Sequence, residues 1–121
     1  MLELEIENKV CEYCLANLGV RSIKLNLTGN TGWPDRLFFI PGGAPLLMEF
    51  KRPGLHPEPR QRLIHAFLEY NAYDIQVHTA FETAVEAVEA RLAAVAESGW
   101  RPNAEKAEFR MVPPQVSEKS R

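Results

Sequence analysis

The sequence predicts an α/β fold of order αβββαβα, on three observations. Apolar residues at helical spacing open the chain, three short apolar runs separated by Gly- and Pro-rich turns follow, and an Ala-, Glu- and Leu-rich segment comes after one more apolar run. In the first element Leu4, Ile6, Val10, Cys11, Cys14, Leu15 and Leu18 keep helical spacing and Gly19 supplies the stop. "SIKLNL" (22–27) alternates polar and apolar residues as a half-buried strand does, and "TGNTGWP" after it is turn-rich. "DRLFFI" (35–40) and "LLMEFK" (46–51) read as two more strands around the turn "PGGAP", and three consecutive strands favour a meander. "RPGLHPEP" breaks regular structure with three prolines, and residues 61–73 then form a helix with Leu63, Ile64, Phe67 and Leu68 as its buried face. "DIQVHTA" is a fourth strand and "FETAVEAVEARLAAVAES" (81–98) a strong helix. Residues 1–98 make the domain, and the polar, Pro-containing segment 99–121 reads as a mobile tail or an arm for a partner chain.

A chain of 121 residues is long enough for one hydrophobic core and short for two. Its 45% hydrophobic and 25% charged residues are ordinary globular values, and no apolar run reaches the length of a bilayer span. The acidic start "MLELEIENK" lacks the basic opening of a secretory signal, which predicts a cytoplasmic address. Two cysteines do not make a disulfide framework. The net charge of -2 conceals a division: residues 21–62 carry seven basic groups against three acidic ones, whereas the remainder carries seven against thirteen. A basic middle beside acidic flanks fits a local anion-binding face as well as ordinary solvated charge.

The third strand carries Glu49 and Lys51 among apolar residues, and alternation points both to one face while Met48 and Phe50 point to the other. A simple hairpin centred on Gly43 would set Asp35 opposite Lys51, with Glu49 its diagonal neighbour about 7–8 Å away. Two carboxylates and an ammonium then surround one point, where a divalent cation held at roughly 2.0–2.6 Å offsets the repulsion. Phosphodiester hydrolysis needs an activated water, a neutralised phosphate and a stabilised leaving oxygen. Mg²⁺ or Mn²⁺ on Asp35 and Glu49 would serve the first two needs, and Lys51 would orient the water or neutralise phosphoryl oxygens. Glu-x-Lys alone is weak, since Glu7-Asn8-Lys9 repeats it and a surface ion pair explains most such triplets. Asp35 adds weight as one of only two aspartates, directly after Pro34 at a strand start.

"GWPDR" (32–36), "MEFKRPG" (48–54) and P-x-x-x-Q (Pro57 to Gln61) together resemble the VRR-NUC (virus-type replication-repair nuclease) branch of the PD-(D/E)xK nucleases, over about residues 4–97. The resemblance implies a restriction-endonuclease-like αβββαβ core, with a central mixed sheet flanked by helices, and a metal-dependent nuclease. By position it makes Asp35 and Glu49 metal ligands together with the backbone carbonyl of Phe50, Lys51 the catalytic lysine, and Gln61 a supporting residue. It also implies a glutamate on helix one; Glu7 is the best match, with Glu3, Glu5 and Glu12 nearby. Small members of this branch occur in phages and bacteria, which suggests an enzyme of branched DNA such as four-way (Holliday) junctions, with a role in DNA repair or recombination. Paired cuts make a C2 homodimer the natural form.

Other readings remain beside it. Flap and plain duplex DNA are alternative substrates, and a non-catalytic DNA-binding subunit would have lost a carboxylate or the lysine, all of which are present here. Cys11-x-x-Cys14 founds a rival thiol or zinc class, but zinc needs four ligands and a redox pair belongs at a helix start, so two buried small side chains is the better reading. Arg36, Arg52, Arg60, Arg62 and His56 are phosphate-contact candidates, each with an ordinary surface role as the alternative. Trp33 is placed to stack on an unpaired base or to pack on the sheet. His65 is expected on the helix surface and His78 in strand four.

Overall fold

The computed structural model describes residues 2–25 and 32–109. Helix α1 (Glu3–Tyr13) runs into a wider π-type turn at Cys14–Leu18 and stops at Gly19, whose φ of 68° is the left-handed conformation glycine adopts without strain. Strands β1 (Ser22–Lys24), β2 (Arg36–Phe38) and β3 (Leu46–Phe50) are followed by α2 (Pro59–Tyr70), β4 (Asp74–His78) and α3 (Phe81–Ser98), with a short 3₁₀ segment at Ala104–Phe109. The sheet order is β1-β2-β3-β4. The first three strands form the expected antiparallel meander, and β4 lies parallel to β3, so α2 serves as the crossover that parallel pairing requires. This is a mixed sheet flanked by helices.

Alternation along the strands divides the two faces. Phe38, Leu46, Met48 and Phe50 are fully buried against Ile6 and Val10 of α1, Cys14 of the π-type turn, and Ala84 and Val88 of α3. Burying each large apolar side chain contributes about 1.5–3 kcal/mol, and Phe38→Ala or Phe50→Ala would open the largest gaps, at about 3–5 kcal/mol each. The odd-numbered residues Leu37, Leu47, Glu49 and Lys51 face the other way, toward α2. Strand β3 is interior to the sheet and buried along its whole length, so Glu49 is not on an open surface, and Lys51 just past its end is buried as well.

Three expectations need correction. The hairpin pivots one residue earlier than Gly43: Ile40 C=O accepts the Gly43 N–H at 2.9 Å, and Pro41 with left-handed Gly42 (φ 75°) supplies the corner. Strand register is therefore Arg36↔Met48 and Phe38↔Leu46, and its continuation sets Asp35 opposite Glu49 rather than Lys51. Gly42 is doubly constrained, because any side chain there would run into the Trp100 ring. The buried face of α2 is also different. Leu63 (72% exposed) and Phe67 (56%) point outward, whereas His65, expected outside, is buried with Leu68. Finally, Leu4 at the start of α1 is exposed.

The fourth strand and the last helix match their expected positions. Residues 26–31, which include the end of the first strand run and most of the turn after it, and the tail from 110 lie outside the described residues. Among the described residues no helix is long and apolar enough to cross a membrane.

Candidate active site

Three segments converge where β2 begins and β3 ends. Pro34 delivers Asp35 at the start of β2, buried at 8% exposure. Asp35 Oδ2 accepts the backbone N–H of Phe50 at 2.8 Å, which locks this carboxylate onto the strand that carries Glu49. In a strand the N–H and C=O of one residue point to the same side, so the Phe50 carbonyl is directed toward the Asp35 edge.

Glu49 is 2% exposed, and its two oxygens differ. Oε2 accepts a hydrogen bond from Gln61 Nε2 at 3.0 Å and stands 3.6 Å from Lys51 Nζ. Oε1 is buried and finds no hydrogen-bond partner among the described residues, an arrangement that costs about 1–3 kcal/mol. Burial, and next the Asp35 carboxylate, push the Glu49 carboxyl up to about 8, with Lys51 opposing. A buried carboxylate raised by a neighbouring carboxylate, with an oxygen left over, is what a cation site looks like when considered from its donors alone.

Gln61 owes its orientation to helix capping. It is the third residue of α2, and its Oε1 accepts the backbone N–H of Glu58 at 2.8 Å in a capping box, which leaves Nε2 to donate to Glu49. The two partners fix which end of the amide is which. Pro59 at the first helical position, where a missing N–H is harmless, sets where α2 starts.

The donor set fits a hard cation such as Mg²⁺ or Mn²⁺: two carboxylates, one with an unpartnered oxygen, and a main-chain carbonyl. Among the described residues no three His, Cys, Asp or Glu side chains gather as a ligand cluster, so the remaining positions would fall to water or phosphate oxygens, as is usual for Mg²⁺.

The helix-one glutamates separate. Glu7, 5% exposed, accepts from Arg36 Nε at 2.7 Å and pairs with Lys24 at 3.5 Å. Both partners occupy even-numbered positions on the α1 face, so Glu7 lies across the sheet from Glu49. Glu3 is the helix-one carboxylate whose charge reaches Glu49. It lines a shallow cleft of about 300 Å³ with Leu2, Leu4 and Arg52. Residues Arg52, His56, Arg60 and Arg62 are exposed along the loop and helix start that follow Lys51, and Arg62 donates to the Pro57 carbonyl at 2.7 Å. Arg36 is committed to Glu7. Trp33 packs edge-on against Phe67 at 6.4 Å and lines an apolar groove with Leu37, Leu47, Leu68 and Tyr73.

His65 is the residue that sequence reasoning missed. It follows Gln61 by four positions on α2, is 9% exposed, and its Nε2 has no hydrogen-bond partner among the described residues. Burial holds its pKa low, Glu69 opposes this, and the Lys51 charge acts in the same direction as burial. The only signal in the sequence was its i+4 spacing from Gln61. The cysteines are inert by comparison. Cys14 is fully buried and pushed up to about 12, and Cys11, also raised by burial, accepts the Ser22 hydroxyl at 3.3 Å.

Fold and site together define a mixed α/β domain with the buried carboxyl groups of Asp35 and Glu49 side by side at one end of its sheet. No family sequence model matches the chain and no curated protein matches it. Solved structures do: one described as "VRR_NUC domain" superimposes with a TM-score of 0.63 at 26% identity, covering 72% of this chain and 94% of its own. A second, "VRR_NUC domain protein", gives a TM-score of 0.64 at 17% identity over 77% and 89% of the two chains and speaks for the fold. These likenesses support an assignment of the fold to the VRR-NUC type.

Proposed function

We propose that this domain is a divalent-metal-dependent DNA endonuclease that hydrolyses phosphodiester bonds. The observation that carries the reading is the buried Glu49 opposite Asp35, one oxygen held by Gln61 and the other unpartnered. Asp35, Glu49 and the Phe50 carbonyl would hold Mg²⁺ or Mn²⁺, which when bound supplies an acidified water and charge for the phosphate. Lys51, 8% exposed beside Glu49, places a positive charge where phosphoryl oxygens or the attacking water would lie. Gln61 keeps Glu49 from rotating away. Glu3 adds negative charge at the mouth of the site, and Glu7 supports it indirectly by holding Arg36 next to Asp35.

Substrate contacts are proposed for the exposed Arg52, His56, Arg60 and Arg62, which extend a positive stripe from the site, with Trp33 at its border, whereas Arg36 stays with Glu7 on the α1 face. The preferred substrate in this reading is branched DNA, four-way junctions first, with flaps or duplex ends as the alternative, in a bacterial or phage-encoded enzyme of the cytoplasm. Symmetric cuts call for two sites, and the exposed apolar stripe of Leu63, Phe67 and Tyr70 on α2 offers a surface for a second copy.

The test is cleavage of end-labelled four-way junction, flap and linear duplex DNA with Mg²⁺ or Mn²⁺. Cutting by the intact protein that falls at least about 100-fold in Glu49→Ala and Lys51→Ala is expected. No cutting of any of these DNAs with either metal would sink the enzyme reading.

A further inference from the structure

We propose that His65 is the positioning residue for Lys51, the acceptor toward which the ammonium turns when it is displaced from Glu49. The inference rests on the nuclease reading of the site and names a part in it for a side chain that reading leaves idle.

Spacing is the first support. Gln61 and His65 are four apart on α2 and share a face, and Gln61 already touches Glu49, so His65 lies one turn further along the same buried surface. Burial is the second. A histidine nine-tenths buried with an unpartnered ring nitrogen is a cost that packing alone does not require, since Leu or Phe would fill such a place without it.

Lys51 supplies the complementary need. It is 8% exposed, carries three N–H donors, and its ion pair with Glu49 spans 3.6 Å, longer than a good hydrogen bond. The Glu49 oxygen concerned, Oε2, also serves Gln61. Any cation that draws on the Glu49 carboxylate weakens this pair further. A neutral imidazole with its proton on Nδ1 presents the Nε2 lone pair as an acceptor, and both burial and the charge of Lys51 keep the ring neutral. Its role is exerted through the lysine, with no contact to the reacting atoms.

The experiment compares His65→Gln, which keeps an acceptor near the position of Nε2, with His65→Phe, which keeps a ring of similar shape and removes the acceptor. The single-turnover cleavage rate with Mn²⁺ is measured beside DNA affinity with Ca²⁺. Independently of cleavage, the Lys51 ¹⁵Nζ resonance is followed in ¹⁵N-lysine protein with and without Ca²⁺. The expected result is that Gln keeps the rate within about threefold while Phe loses about 10–100-fold, DNA affinity being unchanged in both. The Lys51 resonance should move in Phe alone. Phe equal to wild type in rate and resonance, with Gln impaired, would show a packing role and overturn the proposal. If Phe fails to fold, His65→Met is the apolar arm, read against Gln in the same way. A wild-type protein that cuts nothing brings down the nuclease reading, and the resonance alone then decides whether His65 holds Lys51.

Discussion

Replacing Glu49 by Gln is expected to stabilise the metal-free protein at neutral pH while abolishing its response to divalent cations. The folded carboxyl titrates at about 8 against an ordinary value of 4.5. Between those two pH values the folded state holds a proton that the unfolded state has released, so stability falls as pH rises through the window. The slope for one fully displaced group is about 1.4 kcal/mol per pH unit, and over the window the loss is on the order of 5 kcal/mol. That is a large part of the roughly 5–15 kcal/mol available to a domain. Glutamine imitates the protonated carboxyl and cannot titrate, so this loss is absent. Urea unfolding of both proteins in chelator, from pH 4 to 9, should give a difference that is flat below about 4.5, grows in favour of Glu49→Gln up to about 8, and is flat again above. Mg²⁺ or Mn²⁺ should stabilise only the wild type, and more so at higher pH, where the carboxylate is ionised in either state. A difference that stays flat between pH 5 and 8 would mean that Glu49 is solvated or paired well enough to ionise normally.

Other expectations test the supports. Gln61→Ala removes the capping-box acceptor and the Glu49 bond together, and should cost about 0.5–2 kcal/mol in urea unfolding and lower cleavage without weakening DNA binding. Glu7→Ala strands Arg36, and should cost about 1.5–3 kcal/mol, read as a fall in Tm, with a smaller effect on cleavage per folded molecule than Glu49→Ala. Native Cys14 should react with a thiol reagent only after unfolding, since its thiol is fully buried and its ionisation is pushed to about 12; labelling at pH 8 with and without urea measures this.

Much of the fold was legible because its elements carry local signals. Gly19 closing the first helical stretch and the Ala/Glu pattern of residues 81–98 needed no tertiary knowledge. The identities of Asp35, Glu49, Lys51 and Gln61 were legible as motif residues, and the structure gathers them. What escaped depended on choices between near-equivalent local options. Two adjacent glycines left the hairpin centre open, and Pro41-Gly42 in its corner geometry decided it, moving the residue opposite Asp35 from Lys51 to Glu49. On α2, Leu63 and Phe67 are the more apolar residues, yet the capping box at Glu58 and Gln61 fixes the helix rotation and turns His65 and Leu68 inward. Among four glutamates on helix one, composition cannot say which meets Arg36, because that depends on how the helix crosses the sheet.

The Pro41-Gly42 corner has a consequence for how the chain tolerates changes of length. Segment 39–45 connects the strands that carry Asp35 and Glu49, and side chains alternate faces with a period of two. One residue added there and absorbed as a register slip would turn one carboxylate to the α1 side of the sheet, separating the pair across the backbone. Segment 52–58 joins β3 to α2 without any strand pairing of its own, and α2 is re-anchored by its own cap, so added residues would be taken up as a longer loop at little cost. Insertions of equal size should therefore be harmless in one connection and ruinous in the other, although both border the same site.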